Sequence, residues 1–396
     1  MTPPWETCRL AVAGLAARLR GTPWSLLAAA AVLLAFGWLG IHRFEEIHRE
    51  SHFFLKRQIV WSALAFLVMG FIGFGPWRRI PAWAYPLYGL SLVLLIAVFA
   101  FPPINGAHRW IRLGPVGFQP SEPAKLAVVL AVARCLMTPA DHLPWRGLFV
   151  ATALAGGAML LVAIEPDLGT ALVLVPMLGA MLFVGGARKR QLAMLLLAGA
   201  VALPLVWNGM NREQRSRVTA LFEAITPEVT PSADAYHLYQ ARRTFAFGGF
   251  FGSFSGGDAV DDLDAFPLPE GQGDFVLCMI AERFGLLGVG VVFTACAFYV
   301  RAGLRIAQRT EDAFVRLAAT GIVAVTAVQV VINAGMLAGL LPVTGLPFPF
   351  LSYGGSSLLV QGAFLGLLVH FGRQGEQKRF PHPIQSKKLD RHAAIW

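Results

Sequence analysis

Charged side chains inside or at the edge of long apolar runs are costly, so they are the first places to look for chemistry. In this 396-residue chain the sharpest case is Asp274, which immediately precedes the apolar run 275–280. A carboxylate at a helix start is either an N-cap accepting backbone N–H bonds or a base. The helix dipole would hold it ionised, and partial burial would raise its basicity. Glu122 and Lys125 stand three residues apart, on one face of a helix. They form either a local ion pair, with Lys125 snorkelling, or part of a polar site. Glu282 and Arg283 interrupt another apolar run, facing the bundle interior or pairing with a neighbour. The segment 341–357 is uncharged and holds three prolines and three glycines. Its backbone groups need partners inside the protein or a cavity, which makes it a tight connector or the shaped wall of a site.

The elements that must position these groups follow from composition. The chain is 56% apolar or aromatic and only 14% charged, against about 25% charged in soluble domains. That excludes a soluble globular enzyme, a disordered chain and a disulfide scaffold. Ten apolar segments stand out, at 23–41, 58–75, 82–101, 121–137, 147–164, 168–185, 191–207, 275–300, 314–340 and 352–371. The expected fold is therefore all-α and polytopic, with about ten transmembrane helices. Residues 1–22 form an N-terminus, 23–372 a single membrane domain and 373–396 a basic tail. Arg9, Arg18 and Arg20 precede a retained first span rather than a cleavable signal.

The net charge of +10 reads as topology rather than as nucleic-acid binding, because Lys and Arg gather in cytoplasmic loops. With the N-terminus inside, one face receives 20 Lys and Arg and the other 6, leaving out the long loop. Both termini are expected to be cytoplasmic. The 66-residue loop 208–273, between helices seven and eight, then faces outward. It carries Tyr236, Phe245, Phe247, Phe250 and Phe251 beside Arg215, Arg217, Arg242 and Arg243, a mixture suited to lying along the membrane interface. The four cysteines make no CxxC pair and read as packing residues.

Five ordered blocks resemble the SEDS family (shape, elongation, division and sporulation: RodA, FtsW and SpoVE). They are Arg109-Trp-Ile-Arg-Leu-Gly with Phe118-Gln-Pro-Ser-Glu-Pro-Ala-Lys125; Glu165-Pro-Asp-Leu-Gly-Thr170; Tyr236-His-Leu-Tyr-Gln240; Leu268-Pro-Glu270 with Asp274-Phe275; and Asn333 through Gly339 running into Leu341-Pro-Val-Thr-Gly345 and Ser352-Tyr-Gly-Gly-Ser-Ser357. Val343-Thr344-Gly345 leans toward the RodA branch.

The resemblance implies a peptidoglycan glycosyltransferase of the bacterial cytoplasmic membrane. Such proteins polymerise lipid II onto an undecaprenyl-linked glycan strand, release undecaprenyl pyrophosphate, and work with a class B penicillin-binding protein. Asp274 corresponds to the family's essential aspartate, expected to act as general base. The leaving group is an anion, so cations should stabilise its developing charge. Arg109, Lys125, Arg215, Arg217, Arg242 and Arg243 are the candidates. Gln119 and Glu122 join Lys125 in the family's polar cluster, and Tyr236, Gln240, Glu270, Asn333, Ser352 and Tyr353 complete the expected substrate-binding set. A divalent cation, Mg or Mn, would accompany the pyrophosphate. No ligand spacing marks a protein metal site, and the acidic run Asp258, Asp261, Asp262, Asp264 reads as a solvated loop.

This sequence also departs from the family pattern. Gln272-Gly273 replaces a His-Thr pair, Arg283 follows Glu282 where the family has a second Glu, and Glu165 replaces a Gln. An active but differently tuned enzyme is expected. Two other classes compete: a lipid-linked precursor flippase, and a scaffold that activates a penicillin-binding protein. A flippase needs polar residues through the depth of the bundle, and helices five to seven offer almost none.

Overall fold

The computed structural model describes residues 21–48, 51–77, 79–103, 107–114, 116–138, 143–223, 233–253 and 271–379. Seven helices come first: α1 (Trp24–Ile47), α2 (Phe53–Phe74), α3 (Ile80–Ala97), α4 (Ser121–Leu136), α5 (Trp145–Ile164), α6 (Leu168–Val184) and α7 (Lys189–Gly209). After α8 (Arg212–Glu223) and α9 (Ala233–Phe247) come α10 (Val276–Arg309), α11 (Ala313–Leu337) and α12 (Gly355–Arg379). Among the described residues, eight helices are long and apolar enough to cross a membrane. The chain is a polytopic membrane protein.

Two of the ten expected segments give shorter helices. α6 is apolar but has 17 residues, and α4 has 16. In α4, however, 12 residues are buried, including Glu122 and Lys125. It is an internal strut with little lipid-facing surface, which is why its sequence is less apolar than a span facing lipid needs to be. α10, α11 and α12 form the buried centre. α1 lies along α10 and α2 along α12, while α4 and α6 pack on α11. α7 stands outermost, with only Gln191 buried.

Among its described residues, the segment 208–273 carries two helices rather than continuous loop, and α9, whose Leu238 and Ala241 are fully buried, packs against α10. The join is closest at a break in α10. Gly285 sits at φ +62°, ψ −161°, a backbone conformation that a side chain would strain. The break frees backbone N–H groups, which need new acceptors in a dry interior. The amides of Leu286 and Leu287 find them, donating to the carbonyls of Gly249 (3.0 Å) and Phe250 (3.3 Å). Arg283 and Gly285 backbone also lies against Gly252, leaving no room for a Cβ there.

A short hairpin, β1 (Ile111–Leu113) and β2 (Val116–Phe118), precedes α4, with Ile111 opposite Phe118. Sequence periodicity over so few residues gives no strand signal. The ends of α1, α5 and the starts of α2, α4, α6, α10 and α12 gather at one end of the bundle. Arg43 at the end of α1 pairs bidentately with buried Glu282 on α10, both contacts 2.8 Å. Glu45 caps the start of α2, accepting from the amides of Phe54 (2.6 Å) and Leu55 (3.1 Å).

Candidate functional site

Asp274 lies in a turn, 271–275, at that end, half-buried. It is not the N-cap: the cap position of α10 is Phe275, which makes no side-chain cap bond. Its backbone is fixed instead by Asn333 of α11. The buried Asn333 amide donates to the carbonyl of Asp274 (2.9 Å) and to that of Leu346 (3.0 Å). The amide of Tyr353 donates to the carbonyl of Gln272 at 2.9 Å. The proline-rich segment 341–354 is thus the wall on which the Asp274 turn is mounted.

Gly345 is the point of convergence. Its φ is +68°, and a Cβ built there would lie 3.3 Å from Arg217 Nη1 and 3.6 Å from Asp274 Oδ2. The backbone conformation favours a glycine, and a Cβ there would sit tightly against Arg217 and in ordinary contact with Asp274. The α8 guanidinium and the Asp274 carboxylate therefore face one point on the wall.

A second polar cluster stands behind the same wall. Asp167 caps α6 through the amide of Thr170 (3.2 Å). It also accepts from Gln119 Nε2 (3.2 Å) and Ser121 Oγ (2.8 Å). Ser356 Oγ accepts from the Gln119 amide, 3.2 Å, tying the start of α12 to the same place. Arg109 donates to the carbonyls of Glu165 (3.2 Å) and Pro166. Lys125 and Glu122 form a fully buried ion pair of 2.8 Å. Close to Asp167 lies Glu165, whose two carboxyl oxygens are buried without a hydrogen-bond partner among the described residues. Burial foremost, then the negative charge of Asp167, pushes its carboxyl up to about 8 against an opposing pull from Arg109. A Cβ on Gly169 would strike Thr344 O (2.7 Å) and Leu346 Cγ (2.6 Å), so the 341–354 segment is packed between both clusters. Below it, between α6 and α11, opens an almost wholly apolar pocket of about 410 Å³, lined by Leu172, Pro176, Val331, Leu341 and Thr344 among others.

The other expected residues divide by location. Arg215 holds the end of α7, donating to the carbonyls of Trp207 (3.2 Å) and Asn208 (3.0 Å). Arg242 donates to Ala338 O at the end of α11, 3.2 Å. Arg243 lies over the Phe247 ring, 5.5 Å from its centroid. Gln240 donates to Tyr236 Oη (2.8 Å) along α9. Ser352 closes the wall's turn, its Oγ accepting from Phe348 N at 2.8 Å, and Tyr353 packs edge-on against Phe54. Arg217 is placed beside Asp274, the two flanking Gly345. Glu270 and the acidic run Asp258, Asp261, Asp262, Asp264 lie outside the described residues. Among the described residues, no three His, Cys, Asp or Glu side chains group to hold a metal, so they make no protein cage for a divalent cation.

Sequence reasoning singled out neither Arg43 nor Asp167 nor Ser356 as part of this end of the bundle. Asp167 was detectable as a carboxylate three residues before Thr170 at a helix start. Arg43 was not, since its partner is 239 residues away.

Fold and site together define a polytopic membrane protein with a carboxylate and a guanidinium convergent at one end of its helix bundle. The chain belongs to the FtsW/RodA/SpoVE family: the family model, described as a cell cycle protein, matches residues 19–377. It is similar to peptidoglycan glycosyltransferase MrdB of Escherichia coli strain K12, 36% identical over 318 residues, covering 80% of this chain and 84% of that protein. A solved chain from a peptidoglycan synthase complex that coordinates polymerization and crosslinking aligns with TM-score 0.76 and 31% identity, covering 89% of this chain and 98% of the other. The rod shape determining protein RodA of Thermus thermophilus aligns at TM-score 0.66 and 28% identity, covering 90% and 98%.

Proposed function

We propose that this chain is a peptidoglycan glycosyltransferase that polymerises lipid II at the outer face of the cytoplasmic membrane, with Asp274 as general base. The observation that carries the reading is the convergence of Asp274 Oδ2 and Arg217 Nη1 on Gly345. Asp274 takes the proton of the acceptor sugar hydroxyl while that oxygen bonds to the donor's anomeric carbon. The anomeric carbon–phosphate oxygen bond breaks, and the electron pair leaves on undecaprenyl pyrophosphate. Arg217 faces the developing charge, where a planar guanidinium pairs well with phosphate oxygens. The proton then passes from Asp274 to water. A Mg²⁺ or Mn²⁺ ion belongs in this reading only as a companion of the pyrophosphate, held mainly by its oxygens.

The apolar pocket beside Thr344 suits a polyprenyl chain, since it offers area without polar partners. The reading also places both termini in the cytoplasm, in agreement with the Lys and Arg count. A class B penicillin-binding protein is the proposed partner, in keeping with the synthase complex that the fold resembles.

The test is polymerisation of lipid II by the purified chain with and without that partner, read as glycan strands on a gel. Asp274→Asn should abolish strands while eluting as a folded monodisperse protein. Equal polymerisation by that variant removes Asp274 from the mechanism. Movement of lipid II across vesicles with no polymer formed identifies a flippase instead.

A further inference from the structure

At the far end of α10 from Asp274, a pocket of about 180 Å³ opens between the start of α1, the last turns of α10 and the later turns of α12. Its charged side chains, among the described residues, are both cations. Arg305 and Arg309 are one turn apart on α10, and both line it; both are exposed, and neither has an ion-pair partner among the described residues. α1, 24 residues long, begins there with Pro23 at its cap and no side-chain cap bond. The amide of Ser25, which also lines the pocket, has no backbone acceptor among the described residues. That end of α1 carries the positive pole of the helix dipole.

A second, independent observation concerns Thr22. It lines the pocket and is 6% exposed, yet its hydroxyl is buried without a hydrogen-bond partner among the described residues. Buried hydroxyls are ordinarily paired. Gly375 keeps the far wall open, since a Cβ there would meet nothing within 4 Å. Among the described residues, no Asp or Glu lines the cavity.

We propose that this pocket binds a phosphate group: two guanidiniums, a hydroxyl and a helix N-terminus together match the acceptor oxygens of a tetrahedral anion. Two sources share that chemistry, the headgroup of an anionic phospholipid and free phosphate. The exposed Trp24 and Leu304 beside the pocket favour the headgroup, because an aromatic ring next to cations marks a membrane–water interface. This site is remote from Asp274 and goes beyond the proposed transferase reading.

The test uses the full chain in detergent and native mass spectrometry, with phosphatidylglycerol or phosphatidylcholine added. The wild-type chain should retain phosphatidylglycerol in preference to phosphatidylcholine. Arg305→Gln with Arg309→Gln should weaken that retention about five-fold per arginine, and Thr22→Val about three-fold. Arg305→Lys with Arg309→Lys, which keeps the charge, should retain most of it and guards against a folding defect. In a parallel arm, inorganic phosphate is titrated while thermal unfolding is followed. Stabilisation of wild type but not of the glutamine variant, without lipid preference, makes free phosphate the ligand. Identical behaviour of wild type, the glutamine variant and Thr22→Val in both arms overturns the proposal.

Discussion

The Nδ2 amide of Asn333 holds the carbonyl of Asp274 at 2.9 Å while its second hydrogen holds the carbonyl of Leu346 at 3.0 Å. One buried side chain in the centre of the bundle thereby sets the distance between the proposed base and the wall it faces.

Loss of that amide should displace the base more than it unfolds the protein. Asn333→Leu leaves two carbonyls without their donor, at about 1–3 kcal/mol for each that stays dry. Polymerisation is expected to fall by at least about ten-fold, since each 1.4 kcal/mol of lost transition-state stabilisation is one decade. Initial rates of strand formation, beside elution profiles, would check this; a variant with wild-type rates would mean the clamp is dispensable.

Gly345→Ala should be more damaging than its size suggests. The left-handed backbone, φ +68°, costs an L-residue about 1–2 kcal/mol. The new methyl also enters the gap between Arg217 and Asp274, 3.3 and 3.6 Å away. A modest fall in melting temperature with near-complete loss of strands is expected. The reverse pattern, with stability lost and activity kept, would argue that nothing reacts beside Gly345.

Glu165 makes a prediction with a sign. Its carboxyl, pushed up to about 8 in the folded chain, holds a proton that the unfolded chain releases at an ordinary carboxylate value. Between those two values the folded state binds more protons, so its stability falls as pH rises. The decline starts near the unfolded value and is complete above about 8. Glu165→Gln removes the ionisation and should raise the melting temperature more at alkaline pH than at pH 5. Parallel melting curves for the two proteins across that range would refute the assignment.

The Glu122–Lys125 pair should reveal itself in a double-mutant cycle. Lys125→Met alone leaves a buried carboxylate without its cation, at about 3–5 kcal/mol. Adding Glu122→Gln should recover most of that stability. Thermal unfolding of the four proteins in detergent measures it, and purely additive effects would show that the two charges do not depend on each other.

Much of this arrangement could be read from the residues alone. The spans followed from apolar runs, and Asp274 stood out because a charge directly before such a run is expensive. The pairing of Glu122 with Lys125 followed from spacing, but its burial did not: a snorkelling Lys125 was expected, and the ammonium is instead fully buried against its carboxylate. What could not be read was long-range. Arg43 meets Glu282 across 239 residues, and Arg217 comes beside Asp274 at Gly345, across an intervening stretch of more than fifty residues in the chain. The two helices within 208–273 did not stand out as apolar runs because both are short and rich in charged and polar residues; α9 covers α10 while α8 packs on α9. Arg215 and Arg242 looked like free cations by composition but serve as caps, donating to carbonyls at helix ends. Helix C-termini attract cations for the same electrostatic reason that a pyrophosphate does.

The break at Gly285 divides α10 into a long shaft and a short upper stub, and the stub carries Asp274 on its leading turn. The carbonyls of Gly249 and Phe250 are stitched to the first amides below that break. The chain that follows α9 is thereby fastened at the one point where α10 changes direction, so the orientation of the stub and that of the segment after α9 are set together.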